Sequence, residues 1–89
     1  EVRELARLAG GTMAHFTLPP GASSKAVMHR TVEEIWFILS GRGRMWRRGR
    51  TGEAVTDLEP GLSLTIPLGT AFQFCNDGDE PLTAVAITM

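Results

Sequence analysis

Eighty-nine residues, a formal net charge of -1 and 43% hydrophobic side chains describe a chain with room for one domain and one core. A chain this short buries only about 60–65% of its unfolded surface, so a second copy would steady it. The near-neutral balance gives no general pull toward nucleic acid or anionic membrane, and no apolar run approaches the roughly 20 residues of a spanning helix, so neither partner is expected.

The single cysteine, Cys75, rules out a disulfide within the chain and a metal site made only of cysteines. That suits a reducing compartment, and a cytoplasmic location is the expectation. Glu1 to Gly10 carries scattered charges and no sustained apolar core, so it does not read as a signal peptide.

In chain order, Val2 to Leu8 has apolar residues at mixed spacing and reads as a short strand or an irregular lead-in. Gly10-Gly11 breaks it. Thr12 to Leu18 is rich in threonine, aromatic and aliphatic residues, which predicts a strand, and Pro19-Pro20-Gly21 turns it. Strands are then predicted over Lys25–Arg30, Glu34–Leu39, Arg44–Arg47, Ala54–Leu58, Leu62–Ile66, Phe72–Asn76 and Leu82–Met89. Glycine- and proline-containing turns separate most of them. Ser40-Gly41 and Gly43 mark a bend or bulge. About eight short strands and no convincing helix predict an all-β sandwich or barrel.

The stretch Gly21–Gly41 holds the chemistry. Alternate strand residues share a face, so Val27 and His29 point one way, and Glu34, Trp36 and Ile38 point together. If the two strands lie side by side, His29 and Glu34 meet on one wall of a concave surface.

Two spaced motifs carry a resemblance. The first falls on Gly21, Val27, His29, Glu34 and Gly41, and the second on Gly61, Pro67, Gly69, Phe72 and Asn76. With these spacings the chain resembles a small single-domain cupin, of the conserved-barrel type within the RmlC-like jelly-roll superfamily. The resemblance spans Thr12 to about Thr88. It implies an all-β jelly-roll barrel (a double-stranded β-helix) filling residues 1–89 with its core at 12–88, and a homodimer. It also implies a divalent transition metal held by three histidines and a glutamate. Here His29 and Glu34 keep two of those positions, while Val27 and Phe72 stand at two histidine positions. The only other histidine, His15, would complete a two-histidine, one-carboxylate set if it faced the cavity.

Three functions follow. In the first, a small organic molecule binds an apolar pocket lined by Val27, Trp36, Ile38, Phe72 and Phe74. His29 and Glu34 then serve as anchor or acid–base pair, and no full metal site is expected. In the second, a dioxygenase- or isomerase-type enzyme uses a metal on His29, Glu34 and His15. In the third, the chain is a structural or regulatory dimeric module. The same residues have plainer readings: the aromatic and aliphatic side chains as core, His29 and Glu34 as a hydrogen-bonded pair without catalytic duty. Arg42, Arg44, Arg47, Arg48 and Arg50 read as a solvated hairpin face rather than a phosphate patch. Cys75 reads as structural, and Asp77–Glu80 as a solvated turn, although its acidic side chains could pair with arginines across a dimer.

Overall fold

The computed structural model describes residues 1–89 and contains only strands. They are β1 (Val2–Leu8), β2 (Gly11–Leu18), β3 (Val27–Met28), β4 (Glu34–Ser40), β5 (Gly43–Gly49), β6 (Gly52–Leu58), β7 (Ser63–Ile66), β8 (Ala71–Asn76) and β9 (Leu82–Thr88). No helix is long and apolar enough to cross a membrane. One sheet has the order β1-β2-β9-β4-β7 and the other β3-β8-β5-β6, with every pairing antiparallel. Successive strands alternate between the sheets from β3 onward, apart from the β5–β6 hairpin, and the fold is the expected jelly roll.

Strand β4 shows how the core forms. Glu34, Trp36 and Ile38 are buried, and Ile35, Phe37 and Leu39 lie on the outside, the period of two that pleating imposes. Trp36 and Ile38 pack with Leu64, Ile66, Leu82, Ala84 and Ala86 of their own sheet against Met45, Leu58, Phe72 and Phe74. Burial of each large apolar side chain contributes about 1.5–3 kcal/mol, which makes this inter-sheet layer the main source of stability.

The motif residues have structural duties. Gly41 turns the chain out of β4 at φ +85°, where a Cβ would stand 2.5 Å from the Pro81 carbonyl oxygen and 2.7 Å from the Leu82 Cα. Only glycine fits there without backbone movement. Asn76 is buried and donates from Nδ2 to the carbonyls of Leu18 and Glu80, while its Oδ1 accepts from the Gly78 N–H. Its three bonds tie β8 to the end of β2 and to the following loop.

Several expectations change. Val2–Leu8 is a full strand, paired with β2 from Val2–Phe16 to Leu8–Gly11, with a bulge between Glu4 and Ala6 where the register shifts. The strand expected over Lys25–Arg30 contracts to Val27–Met28, with an isolated bridge between Ser23 and Cys75. The segment has a sheet neighbour only on the β8 side, and the Ser24 hydroxyl donates to the adjacent Lys25 carbonyl and accepts from the Phe74 N–H of β8. Arg47 departs from the solvated arginine face. It shares the inward parity of Met45, donates from Nη1 to the Thr65 carbonyl on β7 (2.7 Å) and from Nη2 to Thr56 Oγ1 on β6 (2.9 Å), and so clasps the two sheets together. Asp77 pairs with Arg44 of its own chain at 2.7 Å, so no second copy is needed to satisfy it.

Candidate functional site

The site lies between the sheets, at the seam where β1 and β2 face β3. Glu34 opens β4, which is hydrogen-bonded on both sides to β7 and β9. The ladder runs one residue further, with reciprocal bonds between Glu33 and Met89. The backbone of Glu34 is thus fixed and its side chain enters the core, 6% exposed.

A buried carboxylate is costly unless its oxygens are bonded. Here each oxygen has its own donor. Trp36 Nε1 donates to Oε1 at 2.6 Å, and His29 Nε2 lies 2.8 Å from Oε2. His29 follows β3 and is held from the opposite direction, its carbonyl accepting from the Gly69 N–H at 3.0 Å. The turn closed by Thr70 N–H to the Pro67 carbonyl presents that N–H. Thus the second motif's proline and glycine position the histidine of the first.

Around this pair is a mostly apolar cavity of about 430 Å³, walled by Phe16, Leu18, Val27, Trp36, Phe72 and Phe74, with Ser24 and Lys25 at its edge. Phe16 stacks on Trp36 at 4.8 Å between centroids and 22° between planes. Phe74 and Phe72 meet Trp36 edge-on at 5.0 and 6.2 Å, and the His29 ring is 5.7 Å from Phe72. Such offset and edge-to-face arrangements are favoured by the ring quadrupoles and make the wall stiff. The chemistry available is that of one imidazole, oriented by a carboxylate that is itself oriented by an indole, facing an apolar space.

The structure brings His29 and Glu34 together and sets Val27, Trp36, Phe72 and Phe74 around them. It removes two residues from the expected set. Ile38 is wholly buried in the packed core, one repeat further along β4, and does not reach the cavity wall. His15 pairs across β2 with Arg3 and Val85, in the opposite parity to Phe16, whose ring is inside. His15 therefore points to the far side of the sheet, and the set of His15, His29 and Glu34 does not form. The residues present do not fit a three-histidine and glutamate centre either. Phe72 fills one ligand position with a buried ring, both Glu34 oxygens are engaged, and no three His, Cys, Asp or Glu side chains gather as a metal group.

Sequence reasoning missed the Trp36–Glu34 bond, Phe16, Leu18 and Lys25. The signal for the bond was present, because residues two apart on a strand share a face. For Phe16 and Leu18 the signal was the alternation within β2, whose orientation could be set only by pairing with β9.

Comparison with known proteins agrees with this fold. A family model described as a cupin domain matches residues 14–88. Xanthan biosynthesis protein XanB of Xanthomonas campestris pv. campestris is 34% identical over 71 residues, which are 80% of this chain and 14% of that protein. The chain therefore spans a small part of that relative. The Schizosaccharomyces pombe Cnp3 cupin domain superposes with a TM-score of 0.89 at 14% identity, covering 98% of this chain and 58% of that one. An oxalate oxidase in complex with the substrate analogue glycolate gives 0.89 at 19% identity, covering 99% and 49%. At such identities the superpositions show the fold alone.

Proposed function

The chain belongs to the cupin domain family, and from that premise we propose that it binds a small organic molecule in the cavity between its sheets. The observation that carries this reading is the Trp36–Glu34–His29 relay at one end of an otherwise apolar space. Apolar walls with one well-placed polar group are what small-molecule sites commonly present. A core without a ligand to recognise gains more from an apolar side chain than from a buried carboxylate.

The test is a thermal-shift panel of sugars, carboxylates and small aromatics, with the sugars included because one relative is named for xanthan biosynthesis. A ligand should raise the melting temperature of the wild type, with a smaller rise in Phe72→Ala and in Glu34→Gln. Elemental analysis of the native protein runs alongside. About one transition-metal ion per chain, lost in His29→Ala, would overturn the reading in favour of a metal-dependent cupin enzyme. That enzyme would need a third ligand other than His15.

The domain works, in this reading, as a homodimer. The supporting observation is the outer face of the five-stranded sheet, where Met13, Ile35, Phe37, Leu39 and Ile87 are each about two-fifths exposed. Their neighbours on β7 and β9, Ser63, Thr65 and Val85, are uncharged. The centre of this face can meet its own copy about a two-fold axis without like-charge repulsion, while His15 and Arg3 lie toward its β1–β2 side.

A further inference from the structure

Polar bonding at the inner end of the cavity, around Glu34, is almost complete, while Glu1 and Lys25 keep free charged side chains at the rim, and what remains open inside defines a ligand. Glu34 has no free oxygen, since Trp36 and His29 take one each. Ser24 Oγ accepts from the Phe74 N–H at 3.0 Å and donates to the Lys25 carbonyl at 3.1 Å. No buried side-chain nitrogen or oxygen lacks a partner. His29 Nδ1 makes no hydrogen bond within the chain, and the imidazole, about one-third exposed, lines the cavity. It is therefore an open polar atom that solvent or a ligand can reach.

The state of that atom follows from its partner. A neutral imidazole carries one proton, and the carboxylate of Glu34 draws it to Nε2. Nδ1 then holds a lone pair and accepts. A complementary ligand offers an O–H or N–H at that point and apolar surface elsewhere. The walls narrow it further. Four aromatic rings, two stacked and two edge-on, suit a flat ring better than a branched chain. A dry apolar cavity of roughly 150 Å³ takes a benzene, so about 430 Å³ admits a substituted ring. A pyranose fits less well in the inner part, because its several hydroxyls would find few open partners there besides His29.

Resting on the binding function above, we propose that the ligand is a small aromatic alcohol of the phenol type, donating its hydroxyl to His29 Nδ1. Glu1 and Lys25 stand at the rim with opposite charges and do not make the mouth uniformly attractive to one sign. The contact transfers no group. It is a hydrogen bond, along which the Glu34-backed imidazole is placed to take the hydroxyl proton if a reaction requires it.

The experiment is calorimetric titration in mildly alkaline buffer with phenol, anisole, toluene and benzoate. Phenol should bind about tenfold tighter than anisole or toluene, the worth of one good buried hydrogen bond. His29→Leu should bring phenol down to the level of anisole; if that variant does not fold, His29→Phe, which keeps a ring and has no acceptor, takes its place. Equal binding of phenol, anisole and toluene would overturn the hydroxyl assignment while leaving the apolar pocket in place. Tighter binding of benzoate than phenol would overturn it in favour of an anion held by Lys25. Binding of none of the four would remove the aromatic class altogether, and if the thermal-shift panel were also silent, the binding function would fall with it.

Discussion

Glu34 is a carboxylate held between an indole and an imidazole, and both contacts are short. Glu34→Gln keeps the shape but turns one acceptor into a donor that faces another donor. The expected cost is about 1–3 kcal/mol in urea unfolding, the range for a buried group left unpaired. Trp36→Phe removes the other donor. In the double variant the losses should fall short of their sum, with a coupling of about 0.5–3 kcal/mol. Simple additivity would mean that the indole N–H contributes nothing to holding Glu34. Strand parity sets His29 on the face of Val27 and Glu34 on that of Trp36, but the two strands do not lie side by side: β3 and β4 belong to different sheets, and His29, just past β3, meets Glu34 across the space between them. The direction of His15 was not legible, because parity within β2 says only that His15 and Phe16 oppose each other. Pairing with β9 decides which of them is inside. On the surface, the Arg44 hydrogen bond holds the Asp77 carboxyl below its usual range. A carboxyl depressed in the folded state contributes stability above its unfolded titration range, and that contribution is lost as pH falls through the folded one. Asp77→Asn should therefore be slightly less stable than wild type near neutrality and converge with it in acid. The effect is small for so exposed a pair, and a constant difference across the acid range would contradict it.

Among the elements, β4 and the turns around it set the site. The run Glu34–Ser40 is apolar on both faces, a pattern of strands covered on both sides. Sequence reasoning used only one of those faces. The turn positions were better read, since glycine and proline mark them directly, and the hairpin at Gly49–Gly52 forms where expected. The short β3 was overestimated, because a string of residues does not record whether a strand has one neighbour or two. Gly41 gives a test at this scale. Gly41→Ala places a Cβ against the backbone of Pro81 and Leu82 at positive φ, and should lower stability by more than about 1 kcal/mol. The β4–β9 junction would have to shift to relieve it. An unchanged unfolding midpoint would show that the junction yields freely.

At the scale of the molecule, one apolar layer lies between the sheets and a second apolar face lies outside. The fold was legible as a whole because two spaced motifs and the strand pattern agree. The sequence marks the outer sheet only as one of two possible partner surfaces, beside the arginine hairpin, since what covers a strand is a property of the assembly. Sedimentation velocity should find the wild type at about twice its 9.7 kDa mass, and Phe37→Lys as a monomer with an intact fold, because an interface core rejects charge. A monomeric wild type would contradict the dimer. The central claim is that the cavity beside Glu34 is where a ligand sits. The chain's two tryptophans provide an internal comparison, for Trp36 Nε1 bonds Glu34 in the cavity and Trp46 Nε1 bonds Glu53 on an exposed face. The most direct measurement is a proton–nitrogen NMR titration of labelled protein with the tightest ligand of the panel, following both indole signals. The account predicts that the Trp36 signal moves to saturation while the Trp46 signal stays in place. A titration that moves Trp46 and leaves Trp36 unchanged would contradict it.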